Sequence, residues 1–197
     1  AVIDASARSQ GDGGRVIVWA DRATGFEGRI EARGGSQGGD GGFAEVSGKQ
    51  HLNFAGATDL SAPAGRQGTL LLDPSTLIVG TLADLNANGV FGDDLITSPV
   101  LAGDFAGANF PSQITADRVA TLLATGNVRL EASFQLSVTA PLTVAAGGFA
   151  GELFLQAPAV TLSAPVTLNN ASLAIDTAQN FSDTIRISPA DFTSDHD

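Results

Sequence analysis

Residues 136–144 read LSVTAPLTV and residues 160–168 read VTLSAPVTL, so the same alternation and the same Ala-Pro step return after a shift of 24. Just upstream, VRLEA at 128–132 returns as LFLQA at 153–157 after 25. Apolar residues fill every second position of these segments, the period of a strand with one buried face. A unit this short, made of strands alone, cannot bury its own apolar face and has to stack on its neighbours.

The pattern extends towards the amino terminus. RVIVW, FAEVS and TLLLD follow one another at intervals of 28 and 26, and a looser echo pairs RIEARGG at 29–35 with DLSAPAG at 59–65 after 30. The alternation predicts strands over 15–19, 28–32, 43–46, 58–60, 69–72, 127–131, 136–144, 152–156, 160–168 and 172–175. The fold class expected is all-β: a coil of about three short strands per turn, each stacking on the same strand of the next turn as parallel sheets, a β-solenoid. Val16, Val18, Leu70, Leu72, Val138, Val144, Leu153, Leu155, Val160 and Leu162 should then pile into inward columns, whose burial at about 25 cal/mol per Å² is the main favourable term. Phe43 is expected in the core; Trp19 is open to either face.

Gly-rich pieces, GDGG, RGGSQGGDGG and AAGG, suit the corners, where a Cβ would clash. One region departs from the pattern. TADRVATLLATG predicts a short helix with Thr115 as N-cap, Val119, Leu122 and Leu123 on one face, and Gly126 as C-cap. The organisation expected is coils over 1–75, an inserted loop with this helix lying on the solenoid over 76–126, further coils over 127–180, and an extension over 181–197.

The formal charge of −11 leaves 10 Lys and Arg thinly spread, too few to neutralise many phosphates on one face, so nucleic acid is not an expected partner. With no cysteine, neither a disulfide framework nor a thiolate metal site is available. No apolar run approaches the roughly 18 to 20 residues of a membrane span, and the first ten residues lack the regions of a signal peptide.

Residues 13–79, GGRVIVWADRATGFEGRIEARGGSQGGDGGFAEVSGKQHLNFAGATDLSAPAGRQGTLLLDPSTLIV, resemble a segment of the large exoproteins of bacterial two-partner secretion, the filamentous haemagglutinin-like proteins. The resemblance is carried by Val18 and Trp19, Phe26 and Gly28, Ala32 to Gly35, Gly38 to Phe43, Ser47 to Lys49, and Gly68 to Pro74 with its LLLDP. It implies a right-handed parallel β-helix, export across a Gram-negative outer membrane through a β-barrel transporter, and an extracellular or cell-surface location. Adhesion, haem-protein capture, biofilm formation or contact-dependent competition are the roles implied. The family's amino-terminal secretion domain is not recognisable, which makes this a middle or carboxy-terminal segment of a longer precursor, with other protein chains or neighbouring coils as partners.

Chemistry-bearing constellations are thin. Asp59, Asp73, Glu131 and Asp176 fall at expected strand ends or corners and read as solvated turns or caps. His51 and His196 are too few for a metal triad or a Ser/His/Asp relay, and each reads as a lone surface histidine. In DLNANGVFGDD, Asp84, Asn86 and Asn88 alternate before Gly89, with Asp93 and Asp94 following, as in the first half of a calcium loop; the bidentate Glu is replaced by Leu95, and a plain turn is the competing reading. GDGG and GGDGG lack the strand-loop-helix and lysine of a phosphate cradle. The function expected is an extracellular structural or adhesive segment, not an enzyme, without a cofactor unless calcium binds, contacting protein chains, a surface glycan or a host protein. Two alternatives stand beside it: a carbohydrate-active β-helix enzyme, which requires carboxylates converging beside a basic residue, and ligand binding through 76–126.

Overall fold

The computed structural model describes residues 1–81, 111–145 and 151–177, together with the backbone of 184–187. The chain is mostly β, its strands are parallel, and one helix is present among the described residues. None of those residues forms a helix long and apolar enough to cross a membrane.

The first seven strands are β1 Val2–Asp4, β2 Arg15–Ala20, β3 Ala23–Phe26, β4 Arg29–Glu31, β5 Phe43–Gly48, β6 His51–Phe54 and β7 Ala57–Asp59. After β8 Thr69–Leu72, β9 Thr76–Gly80 and β10 Ser112–Thr115 comes the helix α1, Ala116–Leu123. β11 Asn127–Glu131, β12 Gln135–Val138, β13 Leu142–Val144, β14 Glu152–Gln156, β15 Ala159–Leu162, β16 Val166–Leu168, β17 Ser172–Asp176 and β18 Thr184–Ile187 complete the order.

Successive strands visit three sides in rotation. One side is a six-stranded sheet ordered β17-β14-β11-β8-β5-β2, and the second is a seven-stranded sheet ordered β18-β15-β12-β9-β10-β6-β3. On the third side β1-β4-β7 and β13-β16 form two short sheets, with α1 packed against both β7 and β13. Register follows the sequence repeats: Arg15 lies beside Phe43 and Phe43 beside Thr69, Val128 beside Leu153, Leu136 beside Val160, and Leu142 beside Val166. The echo at 30 is the exception. Arg29 pairs with Ala57, a shift of 28, which sets Glu31 beside Asp59 rather than beside Ser61.

This register builds apolar columns. In the six-stranded sheet Val16, Ala44, Leu70, Val128 and Leu153 face inward one above another, as do Val46, Leu72, Leu130 and Leu155, all buried. Val138, Val144, Val160 and Leu162 are buried as expected, and Val18 packs partly buried against the same core. Phe43 is not in the core: the parity that buries Ala44 and Val46 turns its ring outward, where the Arg15 guanidinium lies 4.7 Å from its centroid. In the seven-stranded sheet Phe26 stacks on buried Phe54, ring centroids 5.7 Å apart and 11° from parallel, because parallel in-register pairing sets like on like.

The region expected to be an insertion from residue 76 opens with a strand: β9 pairs in register with β12, Leu77 beside Leu136. β10, returning after the undescribed stretch, is wedged between β9 and β6. The helix does not lie on top of the strands; it occupies the third-side position between β7 and β13 and buries Ala116, Val119, Leu122 and Leu123. A helix about 10 Å across stands where a strand at a spacing of about 4.8 Å would, an excess of about 5 Å on its side, and the additional strand β10 adds about the same to the seven-stranded side. That match lets the rotation resume with β11, β12 and β13. Thr115 caps α1 as expected, its side chain accepting from Arg118 N, but the C-cap is Ala124 rather than Gly126. Leu123 O at the helix end accepts from Gly151 N at 2.8 Å, and Thr125 O just beyond the helix accepts from Leu60 N at 3.0 Å. The extension expected over 181–197 likewise contains a strand, β18, pairing with β15.

Gly126 has a different task. Gly14, Gly42, Gly68, Gly126 and Gly151 each immediately precede a strand of the six-stranded sheet, and each lies over the one before. A Cβ on Gly68 would sit 2.1 Å from Gly42 O, whereas one on Gly126 would meet Gly68 O at 3.2 Å. Gly68→Ala should therefore destabilise by about 3 kcal/mol, the upper end of overpacking costs, and Gly126→Ala by about 1 kcal/mol or less, as read by denaturant unfolding. Equal costs would remove close backbone approach as the reason for the glycine column.

Candidate functional site

The outward faces carry the chemistry, in three clusters set by the same register. On the β1-β4-β7 sheet, Asp4 lies beside Glu31 and Glu31 beside Asp59, three carboxylates on adjacent strands. Like charges opposite one another are destabilising unless balanced. Arg29 and Arg33 supply the balance: Arg29 donates to Glu31 at 2.6 Å and to Asp59 at 3.5 Å, and Arg33 donates to Glu31 at 2.9 Å with Asp59 at 3.8 Å. Hydrogen bonds from Ser6, with the nearby Arg33 and Arg8 charges, hold the Asp4 carboxyl below its usual range. Asp59 is no free turn carboxylate, since it also accepts from Ser61 N at 3.2 Å and Ser61 Oγ at 2.6 Å.

The second cluster is the glycine corner. Asp12 accepts from Asp40 N at 2.7 Å, and Asp40 in turn accepts from Arg66 N at 2.9 Å and from its guanidinium at 2.8 and 3.0 Å. These bonds lower the Asp40 carboxyl and raise Arg66. The side chains of Arg15, Phe43 and Asn127 join them around a shallow depression of about 550 Å³. GDGG and GGDGG therefore act as corners, with the aspartates tying one circuit to the next.

The third cluster lies on the outer face of the six-stranded sheet. Arg129 bonds Glu131 and, at 2.5 Å, Gln156 Oε1, and its guanidinium lies 4.4 Å from the Phe154 ring centroid. Asp73 follows Leu72, which pairs with Val46 on one side and Leu130 on the other, so it comes beside Ser47 and Glu131. Half-burial pushes the Asp73 carboxyl up, and the Glu131 and Glu45 charges add to the shift. An acid kept neutral more readily beside ionised carboxylates and an arginine is the kind of arrangement that general acid catalysis uses. Glu131, however, is already engaged by Arg129, and among the described residues no three His, Cys, Asp or Glu side chains are grouped so as to hold a metal ion.

Trp19 is exposed on this outer face, at the edge strand β2. His51 is not the surface histidine expected: it is buried on β6, with its backbone N–H donating to Arg22 O at 2.9 Å. Asp176 ends β17 with its carbonyl accepting from Ala157 N at 3.3 Å. Asp84, Asn86, Asn88, Asp93, Asp94 and His196 lie outside the described residues. Sequence reasoning passed over the arginines, although a signal exists. RIE at 29–31 and RLE at 129–131 both place Arg and Glu two apart, hence on one face of a strand. No protein-family model and no curated protein matches the chain.

The Asp73 environment yields a pH-dependent expectation. A carboxyl raised in the folded state loses stability as pH rises from its unfolded value through the raised one. Asp73→Asn should therefore raise the melting temperature at pH 7 and leave it nearly unchanged at about pH 3 or below, where the unfolded-state acid is also largely protonated. Equal gains at both pH values would assign the effect to packing rather than to charge.

Proposed function

We propose that the three-sided rotation is a right-handed parallel β-helix, a β-solenoid, and that the chain is an extracellular structural and adhesive segment of a secreted surface exoprotein rather than an enzyme. The observation that carries this reading is the unbroken register of the six-stranded sheet, from Arg15 beside Phe43 through to Glu152 beside Ser172. Crossovers between parallel strands are right-handed in nearly all folds, which supports the hand. A rigid stack of this kind holds its outward side chains at fixed spacing, and most outward charges described above are spent on bonds between circuits. What remains for contact is a polar, acidic surface with exposed apolar residues at one end. The resemblance of residues 13–79 to two-partner secretion exoproteins supports export through an outer-membrane β-barrel transporter and display on a Gram-negative cell surface, with a host protein or surface glycan as partner.

A second reading, a carbohydrate-active β-helix enzyme, is favoured by one observation: the raised Asp73 carboxyl beside Glu131 and Glu45, near Arg129. In that reading Asp73 would donate a proton to a leaving group.

Antibodies against the chain should label intact cells of the bacterium that makes it, the label should vanish on protease treatment of those cells, and soluble chain should compete with the cells for attachment. Label confined to permeabilised cells would remove the surface reading. Reducing ends released from a polysaccharide panel by the native chain, and lost at least tenfold in Asp73→Asn, would install the enzyme reading in its place.

A further inference from the structure

Asp73 and Pro74 form the only Asp-Pro peptide bond of the chain. An aspartyl side chain can attack its own main-chain carbonyl, because the ring it closes has five members. A following proline favours that attack. Its tertiary amide nitrogen is more basic than a secondary one and more readily takes up the proton that must accompany its departure. The last two residues of LLLDP therefore carry a latent reaction as well as a turn, and the fold decides whether it can run.

Three features of the fold bear on it. The first is where the bond lies. It sits in the corner between β8 and β9, with Asp73 half-buried and Pro74 buried. Pro74 has no N–H, so the nitrogen that would leave holds no ladder hydrogen bond. The rest of the corner is held in place: Ser75 Oγ donates to Gln50 O at 3.0 Å, and Pro74 O accepts from Ser133 N at 3.4 Å.

The second is the company of the carboxyl. Ser47 on β5 and Glu131 on β11 are its lateral neighbours, and Glu45 is the next outward residue along β5. The nearby cations are Arg129, already engaged with Glu131, Gln156 and the Phe154 ring, and Lys49, exposed in the corner of the preceding circuit. Half-burial, then the Glu131 and Glu45 charges, keep Asp73 protonated to higher pH than an ordinary aspartate. The acid form is the one the reaction needs, since it brings both the attacking oxygen and the proton.

The third is what crosses the bond. Residues before it supply β1 to β8 and residues after it supply β9 to β18, yet β8 pairs with β11 and β6 with β10. Leu70 and Leu72 stay buried beside Val128 and Leu130 across the same boundary. Cutting the chain after residue 73 removes none of these contacts.

We propose that Asp73-Pro74 is a self-cleavage site, at which mild acid nicks the folded chain into residues 1–73 and 74–197 that remain assembled. The Asp73 side-chain oxygen bonds to its own carbonyl carbon, the bond from that carbon to the Pro74 nitrogen breaks, and the carboxyl proton passes to that nitrogen. Water, the sole co-reactant, then opens the cyclic anhydride. The products are a carboxyl-terminal aspartate and an amino-terminal proline. The site does not depend on the surface reading above.

The test incubates the native chain in buffers from about pH 3 to 7 and follows fragments 1–73 and 74–197 by denaturing electrophoresis and intact mass, with a peptide of residues 66–81 as reference. Cleavage of the folded chain should rise as pH falls and reach half its maximal rate at a higher pH than in the peptide, whose aspartate titrates at about 3.9. The nicked material should keep the far-UV spectrum and the 19.9 kDa native mass of the intact chain. Glu131→Gln should move the profile to lower pH. Asp73→Glu keeps an acid in place but must close a six-membered ring, and should cut the rate roughly tenfold or more. A native chain that stays intact wherever its fold persists overturns the proposal, and so does cleavage that follows the peptide's pH profile or that Asp73→Glu leaves unchanged. Fragments that part under native conditions overturn the retained assembly.

Discussion

Four strands of the six-stranded sheet, β5, β8, β11 and β14, begin where a glycine passes over the corner glycine of the circuit before. Gly42 sits on Gly14 and Gly68 on Gly42, so closely that a methyl group on the upper residue would fall 2.1 Å from the carbonyl oxygen below. The next residue then donates to that same carbonyl: Phe43 N to Gly14 O, Thr69 N to Gly42 O, Asn127 N to Gly68 O. The corner fixes where every circuit starts, and because side-chain parity along a strand has a period of two, it fixes which residues face inward. Burial of the valine and leucine columns follows from that choice, and it is the largest favourable term in the fold.

Starting every circuit at the same place has a second consequence: like side chains meet like. For apolar groups this is favourable, as in Phe26 on Phe54. For charges it is a liability, and the molecule answers it with interleaved cations. Arg29 and Arg33 bridge Glu31 and Asp59, Arg66 closes the Asp12–Asp40 pair, and Arg129 ties Glu131 to Gln156. In an acidic chain of net charge −11, most arginines on these faces are committed to neutralising neighbours. An exposed ion pair contributes little to stability by itself. Ladders of this sort chiefly offset the repulsion of carboxylates that the native register itself sets side by side, as Asp4, Glu31 and Asp59 are. Asp73 is the partial exception: half-burial raises its carboxyl, and the charge of Glu131, which it adjoins without an arginine of its own, adds to the rise.

The interruption between β9 and β11 is absorbed rather than appended. An extra strand on one side and a helix in place of a strand on another add comparable height, and Gly151 N donating to Leu123 O ties the helix end to the following circuit. Register beyond the interruption is therefore the same as before it.

The amino-acid sequence by itself determined the repeats at 24, 25, 26 and 28, and with them the pairing of β2 with β5, β5 with β8, β11 with β14, β12 with β15 and β13 with β16, because residues that stack across parallel strands share one environment and so one residue type. It also determined the short helix and its N-cap, since Thr115 and the spacing of Val119, Leu122 and Leu123 are local signals. Tertiary structure alone decided the rest. The alternation around Phe43 is symmetric enough to read either way, and the packing of Ala44 against Val16 and Leu70 selected the face. β6 and β10 escaped notice because their inward and outward residues are both buried, His51 and Asn53 included, which erases the polar half of the alternation. The 28-residue register of RIE on ATD, with Ala57 N donating to Gly28 O, prevailed over the apolar similarity that favoured 30, and Arg29 and Arg33 balance the Glu31 and Asp59 carboxylates it sets side by side. Gly126 looked like a helix cap and serves instead as a corner, because what it needs to avoid is the backbone of a circuit 58 residues earlier, at Gly68, and no local reading of the chain contains that neighbour.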